Sequence, residues 1–138
     1  MMARHVVASV AEIPVGSRKV VTVRGREIAV FNVNGAYYAF LNKCPHMGAK
    51  LCYGAVVGLV ESAGPGQFEY SRSGEILRCP WHGWEFDMKT GQSRVDPEGI
   101  WVRQYPATVE SGDAVLAAPL KAETFPVHIE EDYVVLEA

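Results

Sequence analysis

Residues 44–51 read Cys-Pro-His-Met-Gly-Ala-Lys-Leu, and residues 79–87 read Cys-Pro-Trp-His-Gly-Trp-Glu-Phe-Asp. In each segment a cysteine is followed within three residues by a histidine, and proline and glycine surround the pair. Thiolates and imidazoles are common metal ligands in proteins. The sequence therefore predicts a metal site built from Cys44, His46, Cys79 and His82.

The grouping of these four residues bears on which metal they bind. Four such ligands could hold one Zn²⁺ tetrahedrally. Zinc fingers, however, usually place the cysteines in one pair and the histidines in the other, whereas each segment here supplies a mixed pair. A mixed pair suits a two-metal site in which one iron takes both cysteines and the other takes both histidines. Structural zinc remains the alternative.

The residues beside the ligands fit two tight loops that meet over a cluster. Pro45 and Pro80 stiffen the two turns. Gly48 and Gly83 permit a positive φ or a close backbone approach. We therefore expect both segments to form loops outside the strands.

The combination of Cys-x-His with Cys-x-x-His, framed in this way, resembles the Rieske signature, and residues 81–87 strengthen the resemblance. It implies an all-β fold, a Rieske-like antiparallel β-sandwich. A cluster-binding subdomain at about 42–88 would be inserted into a base formed by 1–41 and 89–138. The resemblance also implies one [2Fe–2S] cluster. Cys44 and Cys79 would bind one iron, and His46 and His82 the other.

The chain differs from the Rieske proteins of respiratory complexes in two respects. Trp81 follows Pro80 where those proteins carry a cysteine, so the disulfide that ties their loops is absent. Trp84 and Phe86 stand where they place serine and tyrosine hydroxyls. Fewer hydrogen bonds to the cluster predict a reduction potential nearer roughly −150 mV than +300 mV. This pattern resembles the ferredoxin-type Rieske components of bacterial ring-hydroxylating oxygenase systems.

The composition is that of one folded domain. The chain has 138 residues, of which 49% are hydrophobic and 21% charged. Its net charge of −3 argues against a nucleic-acid partner. No apolar run approaches the roughly 18 residues of a membrane span. Three cysteines are too few for a disulfide framework, and the first residues lack a signal-peptide pattern, so we expect a cytoplasmic protein.

The rest of the chain shows short β-type runs separated by Gly, Asn and Pro. Asn34-Gly35 predicts a tight hairpin. Residues 62–66 predict the tip of another hairpin, which lies beside the cluster within the extra residues at 54–76 that lengthen the connection between the two loops. Residues 130–132 predict the last turn. The strands are predicted at Val6–Val10, Lys19–Val23, Glu27–Phe31, Ala36–Leu41, Trp101–Tyr105, Ala114–Leu116, Phe125–Ile129 and Tyr133–Leu136.

The remaining cysteine and histidines have simpler interpretations. Cys52 is expected to be a buried apolar thiol. His5 and His128 lie in predicted strands and are expected at the surface. The aromatic residues of 81–86 either shield the cluster, meet a partner or pack beneath the loops. Asp87 is expected to begin the turn that follows.

These features predict a one-electron carrier that passes electrons from a reductase to a terminal oxygenase or a related enzyme. A cluster whose irons are fully ligated offers no open position for a substrate, so no catalytic centre is expected in this chain. The alternative is a small Rieske subunit of a larger oxidoreductase, such as a nitrite reductase or a dioxygenase complex. A redox or iron sensor is a third hypothesis. Protein redox partners are expected, without nucleic acid or membrane.

Overall fold

The computed structural model describes residues 4–45, 48–81, 83–94, 96–117, 127–128 and 130–138. Within them the regular secondary structure consists mostly of antiparallel strands, which confirms the predicted all-β class. The elements are β1 (Arg4–Ser9), β2 (Arg18–Val23), β3 (Arg26–Val33), β4 (Ala36–Leu41), β5 (Ala55–Gly64), β6 (Gln67–Arg78), β7 (Glu85–Asp87), β8 (Gln104–Tyr105), β9 (Ala107–Ser111), α1 (Gly112–Ala117) and β10 (Asp132–Glu137).

The chain divides into two compact units. The first runs to Phe40 and resumes at Gln104, and the second, Leu41–Arg103, is inserted between these parts in the sequence. The second unit contains the whole segment 42–88 and continues to Arg103.

The first unit holds two sheets, with strand orders β1-β10-β9 and β2-β3-β4-β8. Their apolar strands supply its core. Residues 28–31 of β3 and 133–136 of β10 are at most 1% exposed. Burial of such side chains is the main stabilising contribution to a domain of this kind.

The turn between β3 and β4 confirms the hairpin predicted at Asn34-Gly35. Both residues have positive φ, 54° and 92°, as the favoured two-residue hairpin turn requires. The Asn32 side chain accepts a hydrogen bond from the Gly35 amide at 2.9 Å. A second pair with positive φ, Arg24-Gly25, turns β2 into β3.

The second unit holds the sheet β5-β6-β7. β5 and β6 form a long hairpin whose turn lies at Pro65-Gly66, and this confirms the tip predicted at 62–66. β7 pairs with the end of β6, where Arg78 lies opposite Glu85. The loop from Cys79 to Trp84 is therefore the connection of a second, short hairpin.

Some local predictions were wrong. Residues 114–116, predicted as a strand, lie in α1. The Ser111 hydroxyl accepts a hydrogen bond from the Ala114 amide at 3.3 Å, and such a bond near a helix start favours helix over strand. β9 was missed. The strand predicted at 101–105 is confirmed only at its end, where Gln104–Tyr105 form β8, while Trp101 makes an isolated bridge to Gln92.

Two predictions near the chain end have different outcomes. The strand predicted at 125–129 falls largely outside the described residues. The turn predicted at 130–132 is confirmed at Glu130 and Glu131, whereas Asp132 already opens β10. The Glu131 amide donates to the carbonyl oxygen of His128. His128 is exposed as expected. His5 is 5% exposed, so its predicted surface position was wrong. Buried and exposed residues do not alternate regularly along β1. The pairing of this strand with β10 also shifts its register between Val6 and Ala8.

None of the helices among the described residues is long and apolar enough to span a membrane.

Candidate metal centre

The first predicted loop follows β4 and folds back on itself. Cys44 is 1% exposed. Its amide donates to the Ala49 carbonyl at 2.7 Å, and the Gly48 amide donates to the Cys44 carbonyl at 2.8 Å. Gly48 has φ +81°, as expected for this tight turn. The bonds fix the backbone on both sides of position 46, but His46 and Met47 lie outside the described residues.

The second loop begins directly after β6. Cys79 is 2% exposed, and its amide donates to the Trp84 carbonyl at 2.7 Å. Gly83 has φ +68°, which again agrees with the predicted turn. The loop is thus closed by a backbone bond as well as by the pairing of β6 with β7. His82 lies outside the described residues.

The two loops bring the thiols of Cys44 and Cys79 together. Burial, a hydrogen bond with Cys44 and the charge of the Cys44 thiolate together raise the pKa of the Cys79 thiol to about 11, although a hydrogen bond with the Trp81 backbone lowers it. Two adjacent buried thiolates are unfavourable unless a cation lies between them.

This arrangement fits two sulfur ligands on one metal ion. Neither cysteine is in a disulfide, so both thiols are available as ligands. The structure therefore brings together two of the four predicted ligands. The contribution of His46 and His82 stays a prediction.

The aromatic residues of the second loop have three different environments. Phe86 is fully buried, Trp84 is half-buried, and Trp81 is 52% exposed. Phe86 therefore packs inside the unit, while Trp81 presents an apolar surface two residues from Cys79. The turn predicted at Asp87 is confirmed, because its carboxylate accepts a bond from the Lys89 amide at 2.8 Å.

Asn42 is a site residue that the sequence analysis missed. It is 6% exposed and spans the base of the first loop. Its side-chain oxygen accepts from the Cys52 amide at 2.8 Å, and its Nδ2 donates to Cys52 Sγ at 3.3 Å. Cys52 is half-buried and hydrogen-bonded, so its predicted role as a buried apolar thiol was wrong.

Replacing Asn42 should loosen the first loop. Asn42→Ala leaves the Cys52 amide without this acceptor, and we expect the free energy of unfolding to fall by about 1–3 kcal/mol. Urea unfolding followed by far-ultraviolet circular dichroism measures the change. Cys52→Ser is the matched control, because a hydroxyl can still accept from Asn42 and the backbone bond is kept. Equal stability of the Asn42→Ala and wild-type proteins would contradict the role given to this side chain.

Comparison with known proteins gives a consistent picture. A model of the Rieske [2Fe-2S] domain matches residues 3–106. The ferredoxin component of the naphthalene 1,2-dioxygenase system of Pseudomonas aeruginosa is 31% identical over 99 residues, which are 72% of this chain and 80% of that protein. The 3-phenylpropionate/cinnamic acid dioxygenase ferredoxin subunit of Escherichia coli K12 is 30% identical over 92 residues, 67% and 73% of the two chains.

Solved structures agree with these sequence relatives. The ferredoxin of Sphingomonas yanoikuyae B1 is 30% identical with a TM-score of 0.57, and the match covers 78% of this chain and 90% of that one. The ferredoxin of carbazole 1,9a-dioxygenase from Nocardioides aromaticivorans IC177 has a TM-score of 0.62 over 99% and 97% of the two chains. At 21% identity this second likeness shows the fold alone.

Proposed function

Since the chain belongs to the Rieske [2Fe-2S] family, we propose that it carries single electrons from a reductase to a terminal oxygenase. The family match and the ferredoxin relatives support a single Rieske-type cluster. The observation that carries the proposal is the buried contact of Cys44 with Cys79 at the meeting of two short loops.

We assign the ligands within the segment 42–88. Cys44 and Cys79 bind one iron, and His46 and His82 bind the other. When bound, the cluster supplies a site that accepts one electron at a time. The chain itself excludes water from the two sulfur atoms, because Cys44 and Cys79 are at most 2% exposed. The backbone bonds of both loops fix the separation of these two sulfur atoms.

The partners are inferred from the relatives. The Pseudomonas aeruginosa protein is the ferredoxin component of a dioxygenase system, and the Escherichia coli protein is a dioxygenase ferredoxin subunit. We infer that this chain likewise serves an oxygenase and receives its electrons from a reductase. We also infer a cytoplasmic location, where cysteine thiols stay reduced and available to iron.

Two measurements test the proposal. Anaerobically purified protein should contain two irons and two acid-labile sulfides per chain, the composition of the cluster, and give a Rieske-type electron paramagnetic resonance signal after reduction with dithionite. In stopped-flow mixing, the reduced protein should then be reoxidised by a purified terminal oxygenase of a dioxygenase system. Zinc without sulfide would overturn the carrier function, and a permanent co-purifying subunit would favour a fixed oxidoreductase complex.

The reduction potential should lie toward the low end of the Rieske range, near roughly −150 mV. Trp84 and Phe86 provide no hydroxyl, so fewer hydrogen bonds stabilise the reduced form. The potential should also fall with rising pH in the alkaline range, because histidine ligands can lose a proton more easily in the oxidised state. Protein-film voltammetry over that range measures both. A potential near +300 mV, or one that is independent of pH, would contradict these expectations.

A further inference from the structure

The base of the second loop is bridged by a three-residue ion cluster, here called the clasp, formed by Arg78, Glu85 and Arg94. Glu85 Oε2 accepts from Arg78 Nη2 at 2.9 Å and from Nε at 3.3 Å. Glu85 Oε1 accepts from Arg94 Nη1 at 2.6 Å. Each carboxylate oxygen thus has its own arginine, and the Glu85 side chain is only 18% exposed.

The clasp lies where the loop begins and ends. Arg78 is the last residue of β6 and directly precedes Cys79, while Glu85 opens β7 opposite it. The Arg94 amide also donates to the Glu85 carbonyl at 2.9 Å. Glu85 is therefore held to the next segment of chain by its backbone and its side chain together.

The energetic contribution of the clasp should exceed that of an ordinary surface ion pair. Exposed pairs contribute little because water screens them and both side chains must be ordered. Here one carboxylate is mostly shielded and accepts three charge-assisted hydrogen bonds, which are stronger than neutral ones. Burial raises the pKa of Glu85, but the bonds from Arg78 and Arg94 outweigh this effect and hold the pKa below its usual value.

We propose that the Arg78–Glu85–Arg94 clasp positions Cys79 by holding the second loop closed, and that it thereby determines how long the chain retains its cluster. The inference rests on the proposed role of Cys79 as a ligand. The Cys79–Trp84 backbone bond closes the loop next to the ligand, and the paired residues Arg78 and Glu85 lie directly below it. If the ends at positions 78 and 85 separate, this bond strains and the Cys79 sulfur can move away from its partner.

Glu85→Gln tests the clasp in the cluster-loaded protein. Glutamine keeps the shape but offers one neutral acceptor, and its NH₂ group faces an arginine. Cluster loss to an iron chelator, followed anaerobically by visible absorbance, should be about tenfold faster than in the wild-type protein, as expected when bonds to a charged group are weakened. The paramagnetic resonance signal of the reduced protein should also broaden, because the sulfur position varies more.

Glu75→Gln is the matched control. Glu75 lies on β6 of the same sheet, and its side chain is 26% exposed and pairs with Lys89 at 2.9 Å. This ion pair is not at the base of the loop. Its loss should leave both the rate of cluster loss and the signal width close to those of the wild-type protein.

A charge-reversed clasp provides the rescue. The triple variant Arg78→Glu, Glu85→Arg, Arg94→Glu restores both ion pairs with opposite signs, so cluster retention should recover relative to Glu85→Gln. If Glu85→Gln does not accumulate, Arg94→Gln takes its place, because it keeps the bonds from Arg78 and should show an intermediate rate. Equal loss rates in the Glu85 (or Arg94) and Glu75 variants would overturn the clasp. A wild-type protein without a cluster would instead overturn the proposed function.

Discussion

Cys79→Ser is expected to remove nearly all iron and sulfide from the purified protein, with the loss of its visible colour. Cys79 is 2% exposed and contacts the Cys44 thiol. A soft thiolate is the ligand proposed here for one iron of the cluster, and a serine hydroxyl in the same buried position is a harder donor that rarely ionises. Cys44→Ser should have the same effect, because one sulfur cannot replace two.

Cys52→Ser is the matched control for both cysteine variants. It makes the same chemical change at a third cysteine, which lies in the same unit and bonds to Asn42. Its iron and sulfide content should equal that of the wild-type protein. Metal analysis together with absorbance distinguishes the variants. Full iron content in Cys79→Ser would place the cluster on other residues, and iron loss in Cys52→Ser would make Cys52 a candidate ligand.

The features that the sequence predicted well are those fixed by a few neighbouring residues. The turn at Asn34-Gly35 needs two residues that tolerate positive φ, and both are visible in the sequence. The same reasoning held for Gly48 and Gly83, whose positive φ values shape the two loops. Local turn chemistry is readable because few alternatives satisfy it.

The residues that hold these loops in place could not be recognised in the same way. Asn42 and Glu85 belong to types that mostly occupy protein surfaces. Their roles depend on partners ten and nine residues away, Cys52 and Arg94, and on the strand register that sets Arg78 opposite Glu85. Nothing in a single sequence states that register. The helix α1 was missed for a related reason, because a run of three apolar residues such as 114–116 fits a strand or a helix equally well.

Gly54→Ala is expected to be strongly damaging although it adds only one methyl group. A Cβ atom at this position would overlap the backbone carbonyl oxygen of Arg78, and it would also lie 3.1 Å from the Leu51 carbonyl oxygen. Backbone atoms cannot rotate away as side chains can. We expect the free energy of unfolding to fall by about 1–3 kcal/mol, the usual effect of overpacking a tight site.

The position of Gly54 links this strain to the metal centre. Gly54 ends the turn that follows the first loop, and its amide donates to the Leu51 carbonyl at 2.9 Å. The residue that it crowds, Arg78, directly precedes Cys79. If the Arg78 carbonyl shifts to relieve the overlap, the start of the second loop moves with it. Gly54→Ala should lose iron as well as stability, as measured by metal analysis and by urea unfolding of the loaded protein.

Gly99→Ala separates a backbone clash from crowding by a side chain. The three atoms nearest to its added Cβ all belong to the Asp96 carboxyl group, the first of them at 2.5 Å, and both residues are exposed. The Asp96 side chain can turn aside, so the change in stability should stay near the roughly 0.5 kcal/mol typical of surface positions. If Gly54→Ala proves equally mild and keeps its iron, the backbone around Arg78 can yield without disturbing Cys79. The close approach at Gly54 would then be a packing detail rather than a support for the second loop.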